Sequence, residues 1–83
     1  MDLARRLAEA LRRLRQEAGL TQVKMARALG ISQPTLNRLE SGGQNTTLRT
    51  LGQLCRALRC EPGELFDVRQ AKPLWGRLRG QVG

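Results

Sequence analysis

Residues 21–42 read TQVKMARALGISQPTLNRLESG and predict two short helices joined by a tight turn. Thr21 is a favourable N-cap for the first of these helices, and Ser32 is one for the second. Gly30 ends the first helix, because glycine adopts a left-handed conformation at little cost. Ala26 is small enough for the two helices to cross closely, as they do in a helix-turn-helix motif.

Apolar residues at helical spacing predict three further helices around this segment. The first helix of the chain carries one apolar stripe, formed by Leu3, Leu7, Leu11, Leu14 and Ala18. The fourth has an inward face formed by Leu48, Leu51, Leu54, Cys55 and Leu58. Asp2 and Thr47 are their N-caps, Gly19 ends the first helix, and Pro62 begins a short fifth helix. No segment alternates polar and apolar residues, so we predict one compact all-α domain of five helices over residues 1–67.

The composition excludes several classes of function. The chain has 83 residues with 15 Lys and Arg against 7 Asp and Glu, a formal charge of +8. Histidine and tyrosine are absent, which removes histidine-based acid–base catalysis and histidine metal ligands. A chain of this length also has little room for a deep catalytic cavity. We therefore expect no enzyme activity and no cofactor, and a polyanionic partner, with nucleic acid ahead of an anionic membrane.

Cys55 and Cys60 are the two cysteines of the chain. Two thiols without a nearby histidine cannot complete a four-ligand zinc site, so no metal is predicted. We expect both to be reduced and to pack as small hydrophobic residues. No apolar run reaches the roughly 18 residues that span a bilayer, and the N-terminus lacks the apolar core of a signal peptide. The expected location is the cytoplasm.

The central segment, together with LRRLRQEAGLTQ before it and TTLRTLGQLCRALRCEPGELF after it, resembles the helix-turn-helix domain of the phage repressor and Cro type, the XRE family. The similarity covers about residues 5–66. It implies a lambda-repressor-like fold with the helix-turn-helix at the second and third helices. It also implies a regulator that binds double-stranded DNA with its third helix in the major groove.

The resemblance assigns roles to individual residues. The expected base-reading residues at the front of the third helix are Gln33, Pro34, Thr35 and Asn37. A glutamine or asparagine there suits adenine, which accepts and donates a bidentate pair of hydrogen bonds. Gln22, the first residue of the second helix, matches the family's glutamine that holds a DNA phosphate. Further groups that we expect at the phosphates, although a solvated surface role explains each of them equally well, are Lys24, Arg38, Asn45, Thr46, Thr47 and Arg49. Arg15 and Glu40 match an ion pair of the family that holds the recognition helix beside the DNA backbone.

Three features depart from the family pattern. Val23 and Lys24 stand where acidic residues commonly open the second helix, so its capping-box carboxylate is lost. Arg59 replaces the glycine that usually ends the fourth helix, which puts a left-handed cap there in doubt. Glu61 is a weak N-cap where serine or aspartate is expected.

The leading functional prediction is a repressor that binds a palindromic operator as a homodimer. The alternative is an antitoxin that binds a toxin protein and represses its own operon. Residues 68–83 form a basic C-terminal tail that we place outside the core. Within it, the candidate partner-binding residues are Leu74, Trp75 and Leu78. Binding of the first helix to a membrane surface is disfavoured, because its leucine stripe is needed for the domain core.

Overall fold

The structure, a computed structural model, describes residues 2–42, 47–67, 69, 74, 76 and 77. Within these residues the chain forms five α-helices and no β-strand, which confirms the all-α prediction. The helices are α1 (Leu3–Ala18), α2 (Gln22–Leu29), α3 (Gln33–Glu40), α4 (Leu48–Leu58) and α5 (Pro62–Leu65). In this part of the chain, no helix is both long and apolar enough to cross a membrane.

Side-chain caps define where the first four helices begin. A side-chain oxygen of each cap residue accepts a hydrogen bond from the backbone N–H three residues later. The four cap residues are Asp2, Thr21, Ser32 and Thr47. Each cap of this kind stabilises its helix by about 1 kcal/mol. Gly19 and Gly30 end α1 and α2 in the left-handed conformation, with φ of 67° and 75°. The boundaries predicted from these residues are confirmed.

The left-handed end of α4 forms although the residue there is not glycine. Arg59 has φ 51°, and Cys60 donates its backbone N–H to the carbonyl of Cys55 at 3.0 Å, which completes the cap. The guanidinium of Arg77 donates to the Arg59 carbonyl at 2.9 Å. A left-handed arginine costs about 1 kcal/mol relative to glycine, and the two hydrogen bonds hold the chain in this conformation.

The start of α5 also forms despite its weak cap residue. The backbone N–H of Glu61 donates to Oε1 of Glu64 at 3.1 Å, one half of a capping box. Glu64, the third residue of the helix, therefore supplies an acceptor for the backbone N–H of the cap residue itself.

One hydrophobic core joins all five helices. Its largest fully buried side chains are Leu11, Leu14, Met25, Leu36, Leu54, Leu58, Leu65 and Leu74. The helix α3 packs against both α1 and α2, and α2 also packs against α4. Ala26 is buried in this core, in agreement with its predicted place at the crossing of the two helix-turn-helix helices.

Two leucines that were expected to face the core do not. Leu3 is 56% exposed and Leu48 is 86% exposed. They are the first residues of α1 and α4, so they lie at the edge of the core, where no described helix covers them. Together with Leu51 and Phe66 they line a shallow apolar groove of about 210 Å³.

The core also includes a residue that we had placed outside it. Leu74 is only 2% exposed and belongs to the same hydrophobic cluster as the five helices. Arg77, three residues later, forms an ion pair with Glu64 at 3.2 Å. The prediction that the segment after Asp67 is excluded from the core is therefore wrong at Leu74. A buried Leu74 is also not available as a partner-binding anchor, while Trp75 and Leu78 lie outside the described residues.

Candidate nucleic-acid interface

The turn between α2 and α3 holds the two helices in one arrangement. Gly30 is left-handed, and Ile31 donates its backbone N–H to the Ala26 carbonyl at 3.0 Å. The side chain of Ile31 packs against the core. Ser32 then starts α3, with its hydroxyl accepting from the Thr35 backbone at 3.2 Å. The position of α3 on the domain surface is thus fixed from its first residue.

One face of α3 is polar and exposed, while the opposite face is in the core. Leu36 and Leu39 are buried, whereas Gln33 and Asn37 are exposed and lie one turn apart. Pro34 and Arg38 are also exposed. Of the predicted base-reading residues, Gln33, Pro34 and Asn37 therefore share the solvent-facing side of the helix.

Thr35 is placed differently from the other three. It is half-buried, and its hydroxyl accepts a hydrogen bond from the Ser32 hydroxyl at 2.7 Å. The same serine oxygen accepts the Thr35 backbone N–H. Thr35 is therefore part of the cap that begins α3, and its side chain is less available to a ligand than those of its neighbours.

The C-terminal end of α3 is anchored to α1 by an ion pair. Nε and Nη2 of Arg15 donate to the two carboxylate oxygens of Glu40 at 2.8 and 3.0 Å. Glu40 is only 5% exposed, so this charge depends on the guanidinium for its compensation. Arg15 also donates to the Leu20 carbonyl at 3.3 Å, and Arg12 donates to the Glu40 carbonyl. The structure thus brings together the predicted pair and adds Arg12, which sequence reasoning missed although it lies one turn from Arg15.

Gln22 joins the same cluster. Its Nε2 donates to Oε1 of Glu40 at 3.1 Å and to Oδ1 of Asn37 at 3.3 Å. With Nε2 directed to these two acceptors, the side-chain amide does not donate to a phosphate in this arrangement. Gln22 was predicted to lie at a phosphate; its contacts with Asn37 and Glu40 were not predicted, because they depend on how α2 and α3 cross.

Four of the other predicted phosphate-binding residues are exposed. Lys24, Arg38 and Arg49 are exposed on three different helices. Thr47 is exposed and caps α4, where its hydroxyl accepts from the Thr50 backbone at 3.1 Å. Asn45 and Thr46 lie outside the described residues. Cations and a helix N-terminus are the groups that proteins use to bind phosphates.

The crossing of α2 and α3 and the exposed polar face of α3 define a helix-turn-helix DNA-binding domain of the phage repressor–Cro, or XRE, type. The sequence profile of the helix-turn-helix family matches residues 11–65, and the chain belongs to this family. No solved structure gives a significant match to the chain.

Curated proteins from three bacteria are similar to this chain. Antitoxin HigA1 of Mycobacterium tuberculosis is 35% identical over 82 residues, which are 96% of this chain and 55% of HigA1. Antitoxin HipB of Escherichia coli is 36% identical over 67 residues, 81% of this chain and 75% of HipB. The uncharacterized HTH-type transcriptional regulator y4dJ of Sinorhizobium fredii is 36% identical over 77 residues, 93% of this chain and 100% of that protein. The chain thus spans about half the length of HigA1 and the full length of the third relative.

Proposed function

We propose that this protein is a transcriptional repressor that binds a palindromic operator in double-stranded DNA as a homodimer. The observation that carries the proposal is the exposed polar face of α3, a helix whose C-terminal end is bound to α1 by the ion pair of Arg15 and Glu40. A rigidly held helix with Gln33 and Asn37 on its outer face suits insertion into the major groove.

The small size of the DNA-reading surface supports the homodimer. The helix α3 has eight residues, and one such helix reads only a few base pairs. Two copies related by a two-fold axis place their recognition helices about 34 Å apart, which matches one turn of DNA. The operator of this proposal is therefore two half-sites in opposite orientation.

The charge around α3 supports contacts to the DNA backbone. Between Thr21 and Cys60 the chain has six basic residues and one acid, Glu40, whose charge is compensated by Arg15. Because the one acid of this segment is paired with Arg15, it does not compete with phosphates for Lys24, Arg38 and Arg49. Binding should weaken steeply as salt is added.

A second function is favoured by the names of two relatives. HigA1 and HipB are both antitoxins, so this chain is also a candidate antitoxin that binds a toxin protein and represses their shared operon. The two functions share the DNA-binding step. They are distinguished by whether a stoichiometric protein partner co-purifies with the chain, and Trp75 and Leu78 are the residues to substitute in that experiment.

Selection of bound duplexes from a random pool, followed by footprinting, tests the DNA proposal. We expect an enriched inverted repeat, and enrichment of no motif at moderate salt would refute sequence-specific binding. Gln33→Ala should relax the preference at one position in each half-site, with Gln16→Ala, an exposed glutamine of α1, as the matched control. Arg49→Ala should weaken binding to all sequences equally and lower the salt slope by about 1.

A further inference from the structure

Cys55 and Cys60 meet at the C-terminal end of α4. Cys55 lies in the last turn of the helix, and Cys60 follows the left-handed Arg59. The backbone N–H of Cys60 donates to the Cys55 carbonyl at 3.0 Å, so the helix cap itself brings the two residues together. Both side chains border the same surface pocket, and each affects the pKa of the other.

Both thiols are free and can be reached from solvent. Each cysteine is half-buried and packs against the core, which agrees with the expectation that both pack as small hydrophobic residues. The pair lines an open surface pocket of about 270 Å³, whose other lining residues are Arg56, Arg59, Glu61 and Glu64. A small polar molecule such as a hydroperoxide fits a pocket of this size.

We propose that Cys55 and Cys60 are a site of reversible thiol oxidation, at which a hydroperoxide converts the two thiols into an intramolecular disulfide. A disulfide has an S–S length of about 2.05 Å and close Cβ atoms. Two side chains that one helix cap brings to the same pocket need only a local movement to satisfy this geometry. The inference does not depend on DNA binding.

The local electrostatics set the order of the steps. Burial is the main cause that raises the pKa of Cys60 to about 12; the neighbouring Cys55 and Glu64 contribute to this rise, and Arg77 opposes it. Burial also raises the pKa of Cys55, but there the interaction with Cys60 partly opposes the rise. Cys55 therefore ionises first and is the attacking sulfur.

The reaction balances with hydrogen peroxide as the oxidant. The Cys55 thiolate attacks one peroxide oxygen, the O–O bond breaks, and the departing hydroxide combines with the proton that Cys55 lost to give water. The resulting sulfenic acid is attacked by the Cys60 sulfur, the S–O bond breaks, and the departing hydroxide takes the Cys60 proton. Two thiols lose two electrons to the peroxide, and the products are one disulfide and two waters.

The disulfide would act at the junction of three parts of the domain. It closes a loop from the last turn of α4 to the start of α5, across Arg59. The carbonyl of Arg59 and the carboxylate of Glu64 are the groups that hold Arg77 of the C-terminal segment. Oxidation should therefore lock this end of the domain and raise its Tm by on the order of 10 °C.

Intact mass and peptide mapping of the full chain test the site. The chain is treated with a small excess of hydrogen peroxide at pH 8 and then with N-ethylmaleimide, and its intact mass is measured by mass spectrometry. We expect a loss of about 2 Da, no maleimide adduct, and full reversal by dithiothreitol. Trypsin cleaves after Arg56 and Arg59, so peptides 50–56 and 60–69 should stay joined until reduction.

Cys55→Ser and Cys60→Ser are the matched controls, each of which retains one thiol. After peroxide both variants should show no 2 Da loss and no rise in Tm, and circular dichroism checks that they are folded. The peptide map of the unsubstituted chain decides the question if a variant fails to fold. Two maleimide adducts after peroxide, a mass gain of about 32 Da from sulfinic acid, or a disulfide only between two chains would each overturn the proposal.

Discussion

The carboxylate of Glu40 accepts two hydrogen bonds from the guanidinium of Arg15, at 2.8 and 3.0 Å. Glu40 is the last residue of α3, and Arg15 lies in the last turn of α1, 25 residues earlier. The pair therefore holds the end of the recognition helix against the body of the domain. Because the Glu40 carboxylate is buried, the ion pair stabilises the fold whether or not it also contacts DNA.

Arg15→Ala should destabilise the domain, because it leaves the buried Glu40 carboxylate without its main partner. We expect a loss of about 2 kcal/mol in the free energy of unfolding, measured by urea denaturation at neutral pH. This is less than the cost of breaking a fully buried pair, since Arg15 is 28% exposed and Gln22 still donates to Glu40. Arg13→Ala, at an exposed position of α1, should change stability by less than about 0.5 kcal/mol. Equal stability of the two variants would contradict a structural role for the pair.

Gln22→Ala tests whether this residue serves DNA recognition through α3 or through a phosphate. Because Nε2 of Gln22 donates to Asn37, its removal should relax sequence preference at the base position that Asn37→Ala also affects. The double variant should lose little beyond either single variant, which is the sign of two residues acting together. Binding to a panel of operator variants at several salt concentrations measures this. A uniform loss across all sequences, with a salt slope reduced by about 1, would indicate a phosphate contact instead.

Local signals in the sequence were sufficient for the helices but not for the ion pair. Thr21, Ser32 and Gly30 act within one or two turns of the chain, so their effects do not depend on the rest of the fold. Arg15 and Glu40 were identified because the resemblance to a known family supplied a contact between distant residues. Local propensity alone would not have paired them.

The misplaced residues are those whose burial depends on neighbours distant in sequence. Leu48 lies on the apolar side of α4 by helical spacing, yet its position at the helix start leaves it uncovered. Leu74 follows a stretch without apolar periodicity, and nothing local indicates that it reaches the core. The bond between Gln22 and Asn37 requires the angle at which α2 crosses α3, which spacing along the chain does not give.

The pKa of Cys60 predicts how stability changes in alkaline solution. The folded chain holds this pKa at about 12, through burial and the nearby Cys55 and Glu64 against Arg77, whereas the ordinary value is 9.0. Between these values the unfolded chain has released a proton that the folded chain retains, so rising pH favours unfolding. Its contribution to stability is complete below pH 9 and is lost as pH rises toward 12. Urea denaturation at pH 8 and pH 10.5 should show a larger loss for the unsubstituted chain than for Cys60→Ser, and parallel losses would contradict the raised pKa.

Leu74→Ala tests whether the segment after Asp67 contributes to the domain. Its side chain is 2% exposed within the core, so truncation removes buried contacts and opens a cavity. We expect a loss of about 2 kcal/mol, at the low end for a buried leucine because a terminal segment can relax around the change. Leu48→Ala is the matched control: the same truncation at a side chain that is 86% exposed should cost less than about 0.5 kcal/mol. Thermal unfolding of the two variants beside the unsubstituted chain measures the difference. If Leu74→Ala unfolds with the same Tm as Leu48→Ala, the segment does not stabilise the fold and the domain ends near Asp67.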